Sequence, residues 1–451
     1  MTDIKGIPYT TAVFDKDGKL QNNPTIPAGT TDLLVASHGW NNDAADAEGL
    51  YTKLFSNFAD VTSTDPEIKK RKLAIVGVIW PAKKFDQLMT QLASSSGQAG
   101  GAASLAPGAE DDVAIAAMME AINRAAPLFD DAGDDKRLAR LRELARPNLE
   151  HDENAQKEFM KILRELLDPD GSHIGEQQSE DSSDVFFEGQ PNVIFENAKA
   201  PTPASASDPA PAPAPATGSN PTDGAGSAAS FLGNVFSKAA NAVSSLMNLT
   251  TYFEMKKRAG NVGKVGVAPL IDKLAAQVER VHLMGHSFGG RVVTAAAANS
   301  TTKKLHSMAL LQAAFSHNGF SKKKNGFFRS VVDNKRVNGP IFVTHTKNDK
   351  AVGLAYPAAS KISNDQSSAF GGPDDPFGGL GSNGAQQMET GEIFETTNTL
   401  QSVGGAYQWQ AGHFHNLDST KFIIDPKGGD AHGWIFVPEV AWAISRAIIS
   451  T

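Results

Sequence analysis

The segment VHLMGHSFGG, residues 281–290 of this 451-residue chain, precedes the Ala-rich stretch RVVTAAAA. The apolar residues before Gly285 have the composition of a buried strand, and those after Gly290 have the composition of a helix. Between them lies the pattern Gly-x-Ser-x-Gly, in which small residues two positions before and after Ser287 permit a very tight turn. The pattern alone is weak, so its place between a strand and a helix is what makes it informative.

Apolar runs that end in turn residues recur on both sides of this segment. They are short and rich in Val, Ile and Leu, as expected for strands that are covered on both faces. Their alternation with helical patterns predicts an α/β fold with a mostly parallel sheet. Asp17-Gly18 predicts a hairpin turn after the first strand. The predicted strands are Tyr9–Phe14, Asp32–Ala36, Leu73–Trp80, Arg280–Met284, Leu305–Gln312, Ile341–Thr346 and a last one near Lys421–Ile424.

Residues 85–259 interrupt this alternation. We interpret them as a helical insertion into one discontinuous α/β domain, which is formed by residues 1–84 and 260–451. Such an insertion accounts for the length of the chain without three separate domains of about 150 residues each. The helical patterns inside it are Asp111–Phe129 and Asp135–Leu167.

Part of the insertion has the composition of a disordered tether. Residues 201–221 hold seven of the 24 prolines, and residues 171–188 hold five acids and no Lys or Arg. Such segments bury too little apolar surface to order themselves, so we expect disorder over about residues 171–228.

Apolar residues then recur at helical spacing over residues 231–247. We expect a lid helix that packs on the core. A helix that lines an apolar pocket and a helix that lies on a membrane surface are the alternatives. The membrane reading is the least favoured, because Lys238 is the one cation on the polar face.

The composition excludes several classes of function. The 42 Lys and Arg against 50 Asp and Glu give a net charge of −8, which argues against a nucleic-acid partner. The absence of Cys excludes disulfides, thiolate metal sites and a cysteine nucleophile. The N-terminus has no apolar signal region, and no run reaches the roughly 18 apolar residues of a transmembrane helix. We therefore expect a cytoplasmic protein, with export by a route that lacks a cleaved signal left open.

Ser287 is the predicted nucleophile. A serine hydroxyl needs a base to take its proton, an acid to orient that base, and donors for an oxyanion. Asp349 follows a predicted strand at the sheet edge where open α/β folds place their sites, so it is the candidate acid. His432 precedes the C-terminal helical pattern and is the candidate base. Non-catalytic readings of these residues are a helix cap for Ser287 and a turn for Asp349. The competing assignments are Asp333 for the acid and His413 or His415 for the base.

The oxyanion donors are predicted from residues 38–40, His-Gly-Trp, which follow the strand Asp32–Ala36. Gly39 lets the loop bend so that the backbone N–H of Trp40 points at a substrate carbonyl, with the N–H of Phe288 as its partner. His38 and His286 are expected to shape the site rather than to titrate in catalysis.

We predict neither a metal nor a cofactor. His413, His415 and Asp418 include metal-ligating types, but two histidines at this spacing are common without metal. The Gly-rich residues 371–381 lack the Lys-Ser/Thr of a phosphate-binding loop, so we interpret them as a flexible loop near the acid.

Together these features resemble the α/β-hydrolase superfamily, and in particular its bacterial esterase-like and lipase-like members. The resemblance covers roughly residues 25–84 and 250–451. It is carried by His38-Gly39, Trp80-Pro81, the nucleophile elbow at residues 285–289, the segment at residues 251–263, and the order Ser287, Asp349, His432.

The resemblance implies an α/β-hydrolase fold with about eight strands, helices on both faces and a cap formed by residues 85–259. It also implies a serine hydrolase that cleaves carboxylic esters, including lipid acyl esters, through an acyl-enzyme. An amidase, a thioesterase, a phospholipase-type effector and a non-catalytic interaction module of the same fold are the alternatives.

Overall fold

A computed structural model of the protein describes residues 2–40, 42–82, 109–169, 183–199, 238–352 and 378–451. Within these residues eight strands form one sheet in the order β1-β2-β4-β3-β5-β6-β7-β8. The pair β1 and β2 is antiparallel and all other pairs are parallel, so the predicted α/β fold with a mostly parallel sheet is confirmed. The strands are β1 (Thr2–Ile4), β2 (Ile7–Val13), β3 (Asp32–Ser37), β4 (Leu73–Ile79), β5 (Arg280–His286), β6 (Leu305–Leu311), β7 (Ile341–His345) and β8 (Phe414–Asp418).

Helices cover both faces of this sheet. Among the described residues they are α1 (Ala44–Thr62), α2 (Pro66–Lys69), α3 (Ala109–Ala125), α4 (Asp134–Leu144), α5 (Glu153–Leu167), α6 (Ser183–Glu188), α7 (Pro191–Ala198), α8 (Lys238–Asn261), α9 (Ala268–Ala275), α10 (Phe288–Asn299), α11 (Arg329–Asp333), α12 (Leu380–Asn383) and α13 (Pro438–Ile449). A π-helical turn, Val262–Val267, joins α8 to α9, and 3₁₀ turns occur at Ala126–Leu128 and Pro147–Glu150.

Each central strand contributes side chains to two hydrophobic clusters, because successive residues of a strand point to opposite faces. In β3, Leu33 and Val35 pack with α8, α9 and α10, whereas Leu34 and Ala36 pack with α1 and α13. Burial on both faces explains why the central strands have continuous apolar sequences.

The N-terminal hairpin differs from the prediction. β2 pairs with β1 through a turn at Lys5-Gly6, in which Gly6 takes a positive φ of 85°. The residues after Asp17-Gly18 form only one antiparallel bridge, between Phe14 and Leu20. The Asp15 carboxylate accepts hydrogen bonds from the N–H groups of residues 17 and 19 and closes a compact turn there. The segments before and after this turn therefore do not continue as a pair of antiparallel strands.

The last strand was predicted at the wrong place. β8 is Phe414–Asp418, and the residues Lys421–Ile424 form a turn instead. Ile423 gives the latter segment its strand-like composition, but its side chain is buried from a loop and its carbonyl accepts a hydrogen bond from Asn348. β8 lies at the end of the sheet and carries polar residues, so it lacks a continuous apolar run.

Helices are present in both segments predicted to be helical, residues 111–129 and 135–167, but their bounds differ from the prediction. The pattern over residues 135–167 is broken at Pro147, because a residue before proline avoids the helical conformation. Residues 183–199 fall within the predicted disordered tether, yet they form α6 and α7. Phe186 and Phe195 are fully buried there. Burial of these two aromatic side chains stabilises the helices despite the acidic composition of the segment. The rest of the predicted tether lies outside the described residues, as do residues 231–237.

The described part of the predicted lid helix belongs to α8. Its residues Val243, Leu246 and Met247 are buried in the same hydrophobic cluster as the sheet strands, as expected for a helix packed on the core. The division into a catalytic domain and a cap stays a prediction. Among the described residues, none of the helices combines the length and the hydrophobicity that a bilayer-spanning helix requires.

Candidate active site

The site predicted from the sequence lies at the point where the strand order reverses. β3 pairs with β4 on one side and with β5 on the other, so the connections after β3 and β5 leave the sheet in opposite directions. A crevice outside the carboxyl ends of these two strands results. The loop after β3 carries residues 38–40, and β5 runs directly into Ser287.

Ser287 has the strained backbone that a tight strand-to-helix turn requires. Its φ of 56° and ψ of −127° are disfavoured for a residue with a side chain, at a cost of about 1–3 kcal/mol. The flanking glycines allow this turn. A Cβ atom on Gly285 would lie 2.2 Å from the Gly289 carbonyl oxygen, and one on Gly289 would lie 2.2 Å from the Ser37 carbonyl oxygen. The pattern Gly-x-Ser-x-Gly is therefore a requirement of packing at this position.

Asp349 and His432 are brought together from loops 83 residues apart. The Nδ1 of His432 donates to Oδ2 of Asp349 at 2.9 Å, and the N–H of Val352 donates to the other carboxylate oxygen at 2.9 Å. Burial alone would lower the pKa of His432, but the charge and hydrogen bond of Asp349 outweigh it and raise that pKa above the ordinary histidine value. The imidazole is thus oriented and made more basic by the same carboxylate.

Asp430 was missed by the sequence analysis, although it connects these two loops. Its Oδ1 accepts the backbone N–H of Lys350 at 2.9 Å and that of His432 at 3.0 Å. The second bond is a local Asx-type turn that the sequence could have suggested. The first bond spans 80 residues, so no local pattern indicates it. One carboxylate therefore holds the loop of Asp349 against the loop of His432.

The predicted oxyanion residues border one cavity of about 260 Å³. The rings of Trp40 and Phe288 meet edge to face, with centroids 5.7 Å apart. Phe288 is the first residue of α10, where N–H groups have no intrahelical acceptor. A Cβ on Gly39 would lie 2.4 Å from the Cβ of Ser287, so only glycine lets the 38–40 loop approach this closely. The cavity wall also includes Leu50, Tyr252, Ser287, Val352, Asp430 and His432.

His38 fixes the 38–40 loop. Its Nε2 accepts the backbone N–H of Trp80 at 3.3 Å, so its Nδ1 carries the proton and donates to the Gly39 carbonyl at 2.8 Å. The ring stacks on the Trp80 indole, whose N–H donates back to the His38 carbonyl. Burial lowers the pKa of His38 to about 4, so this histidine is neutral.

His286 packs against His432 and is hydrogen-bonded to its backbone. Its Nε2 donates to the backbone carbonyl of His432 at 2.8 Å, and the two rings lie 4.8 Å apart. Burial lowers the pKa of His286 to about 3, and its Nδ1 is buried without a hydrogen-bond partner. A charged His286 would repel the protonated form of His432, so its neutrality protects the raised pKa of the base.

The competing residues lie elsewhere. His413 and His415 are at the beginning of β8, the opposite end of the sheet from the crevice, and each contacts backbone groups of residues 410–411. Asp333 pairs with Arg329 in α11. Among the described residues no three His, Asp or Glu side chains converge as a metal site.

Comparison of the chain with family models, with curated proteins and with solved structures gave no match. The α/β class follows from the sheet itself.

Proposed function

We propose that this chain is a serine hydrolase of the α/β-hydrolase superfamily that cleaves carboxylic esters. The observation that carries the proposal is the hydrogen bond between the buried Asp349 and the partly buried His432, beside a cavity that His432 shares with Ser287. A strained serine, a base whose pKa is raised by a carboxylate, and a helix N-terminus meet at one crevice. Structural roles alone do not account for that combination.

In the proposed reaction the Ser287 oxygen attacks the ester carbonyl carbon while His432 takes the serine proton. The Asp349 carboxylate stabilises the imidazolium, and the amides of Trp40 and Phe288 stabilise the oxyanion. The intermediate expels the alcohol, which receives the proton from His432, and leaves an acyl group on Ser287. Water, deprotonated by His432, then attacks the acyl carbonyl. The bond from the carbonyl carbon to the Ser287 oxygen breaks, His432 returns the proton to that oxygen, and the carboxylic acid leaves.

The cavity favours a small ester with an apolar acyl or alcohol group. Leu50, Tyr252, Phe288 and Val352 supply apolar surface around the serine. Its volume of about 260 Å³ is just below the roughly 300–1,000 Å³ of pockets that hold drug-sized ligands. We expect short-chain esters to be turned over faster than long-chain esters.

Hydrolysis of p-nitrophenyl acetate, butyrate and palmitate by the full chain and by Ser287→Ala tests this proposal. We expect turnover of the short esters and a loss of roughly 10⁵- to 10⁶-fold in kcat for the variant. A parallel series of thioesters and anilides measures whether the ester is the preferred substrate. Wild-type protein that cleaves none of these compounds, or a variant that cleaves them equally well, would contradict the proposal.

A further inference from the structure

The cavity beside Ser287 carries negative charge at its mouth. Among the described residues that line it, Asp430 is the one carboxylate, and no Lys or Arg is present. Asp430 lines the cavity and is also exposed to solvent, so it lies at the mouth. The net charge of −8 over the whole chain acts in the same direction. The cavity therefore attracts positively charged groups.

The hydrogen bonds of Asp430 leave its charge intact. Its Oδ1 accepts the backbone N–H groups of residues 350, 351 and 432, and these donors are neutral. Within the part of the chain that the structure describes, no lysine or arginine forms an ion pair with Asp430. Its negative charge is thus available to a group that enters the cavity.

The two histidines of the cavity do not cancel this charge. Burial lowers the pKa of His286 to about 3, so its ring is neutral. His432 becomes an imidazolium in the proposed reaction, but the Asp349 carboxylate, 2.9 Å from its Nδ1, balances that charge. The charge of Asp430 therefore stays uncompensated when His432 is protonated.

Aromatic rings form part of the wall of the same cavity. Phe288 contacts both Trp40 and Tyr252, with ring centroids 5.7 Å and 5.4 Å apart, and all three residues border the cavity. The face of an aromatic ring attracts cations, and several rings around one space are typical of sites that bind quaternary ammonium groups. A carboxylate at the mouth and aromatic rings in the wall together favour an organic cation.

We propose that the preferred substrates are small esters that carry an ammonium group. This inference rests on the proposed function, because it names the substrate class of the same site. The ester carbonyl lies at Ser287, and the ammonium group is attracted by Asp430 and the aromatic rings. Leu50 and Val352 contact the short apolar chain that joins the two groups.

Two p-nitrophenyl esters that differ only in charge test the proposal on the full chain. One is the γ-trimethylammoniobutyrate, and the other is its carbon isostere, in which a tert-butyl group replaces the trimethylammonium group. We expect kcat/KM to be roughly five- to twentyfold higher for the cationic ester. This preference should shrink as the salt concentration rises, because Asp430 is exposed and salt screens its charge.

Asp430→Asn removes the charge and keeps an oxygen that accepts the same N–H groups. We expect the ratio of the two kcat/KM values to fall roughly three- to fivefold in this variant. The ratio cancels any loss of turnover that both esters share. Asp425→Asn is the matched control, because Asp425 accepts local N–H groups in the same segment but does not line the cavity. We expect the control to keep the wild-type ratio.

A second pair of esters shows on which side of the ester bond the cation binds. Butyrylcholine and its tert-butyl isostere place the charge on the alcohol instead of the acyl group. A preference for the cation in either pair supports the proposal and assigns the side.

Two results would overturn the substrate class and leave the serine hydrolase proposal standing. One is hydrolysis of the neutral esters without a preference for the cation in either pair. The other is a preference that Asp430→Asn lowers no more than Asp425→Asn does. Hydrolysis of none of the four esters by folded wild-type protein contradicts both proposals.

Discussion

The sheet carries two Ser-His-Asp arrangements, one at each end. We call Ser287, His432 and Asp349 the site trio. The other, which we call the buried trio, consists of Ser307, His282 and Asp32 near the amino ends of β6, β5 and β3. In the buried trio, Nε2 of His282 donates to Asp32 at 3.2 Å, and Nδ1 accepts from the Ser307 hydroxyl at 2.8 Å. By hydrogen bonds alone, the buried trio is as well connected as any catalytic triad.

The two trios differ in what surrounds them. Asp32 and His282 are fully buried and Ser307 is 4 % exposed, whereas Ser287 and His432 border a cavity. Ser307 lies inside strand β6, next to a register shift in its pairing with β5, while Ser287 occupies a strained turn before a helix N-terminus. The first N–H groups of a helix have no intrahelical acceptor and can serve as oxyanion donors, whereas most N–H groups of a strand are used in the pairing of the sheet.

Electrostatics separates the two histidines as well. Burial lowers the pKa of His282, whereas Asp349 raises the pKa of His432. Asp32 is also paired with Arg71 at 3.0 Å, so its negative charge is shared with a permanent cation. A hydrogen-bonded Ser, His and Asp therefore do not by themselves make a catalytic site. A reactive serine also needs space, donors for developing charge and a base that can become charged.

The largest expected difference between the trios is in their carboxylates. Asp349→Asn should lower kcat by roughly 10⁴-fold with little change in stability, because the base loses its orientation and its charge partner. Asp32→Asn should leave kcat within about threefold but destabilise the fold by about 3 kcal/mol, because it breaks a buried ion pair with Arg71. Steady-state kinetics and urea unfolding of both variants measure the contrast. Equal kinetic losses in the two variants would remove the distinction.

A smaller loss of activity should follow from loosening the loops of the site trio, whereas the residues of the buried trio are held by strands of the sheet. The site trio needs Asp430 to join its loops, so Asp430→Ala should lower kcat roughly 10- to 100-fold with KM unchanged. Asp430→Asn should retain most of the activity, because an amide oxygen accepts the same N–H groups.

Asp425→Ala is the matched control for Asp430. Asp425 accepts N–H groups of residues 427 and 429 in the same segment, without reaching the loop of the acid. A loss of kcat in Asp425→Ala as large as that in Asp430→Ala would show that general loop disorder is responsible.

The smallest expected effect is on how activity and stability depend on pH. The pKa of His432 is raised and that of His282 is lowered, so the two histidines should act in opposite directions. His432 must be neutral to accept the serine proton, so kcat/KM should be lost as pH falls through an apparent pKa above the ordinary value of about 6.5. Asp430→Asn should shift this profile to lower pH, because the Asp430 charge contributes to the raised pKa. A wild-type profile with its midpoint below 6.5 contradicts the account of His432.

In the buried trio, the protonation of His282 should affect the free energy of unfolding rather than the activity. The pKa of His282 is lowered in the folded chain, so below about pH 6.5 the unfolded chain binds more protons than the folded chain. Stability from this histidine should therefore be present above that pH and decline as the pH falls. Urea midpoints of wild type and His282→Gln between pH 5 and 8 measure this contribution. Parallel curves for the two proteins would assign the pH dependence to other groups.

The features that the sequence predicted correctly are those whose signal lies in neighbouring residues. The strands β3 to β7 were predictable because burial on two faces leaves continuous apolar runs, and the turn at Ser287 was predictable because Gly285 and Gly289 are sterically required. β8 was misplaced because it lies at the edge of the sheet with a polar composition.

The rest of the site depends on contacts between distant parts of the chain. The bond from Lys350 to Asp430 and the bond from Trp80 to His38 join residues that no spacing rule connects.

The central claim is that Ser287, and not Ser307, is the nucleophile, and covalent labelling tests it most directly. Both serines lie near a histidine, because Ser307 is hydrogen-bonded to His282 and Ser287 borders the same cavity as His432. The full chain is treated with a fluorophosphonate probe, and the modified peptide is identified by mass spectrometry. We predict one adduct, on Ser287, that disappears in Ser287→Ala and persists in Ser307→Ala. A folded wild-type protein that acquires no adduct, or an adduct on Ser307 instead, would contradict the assignment of Ser287 as the nucleophile.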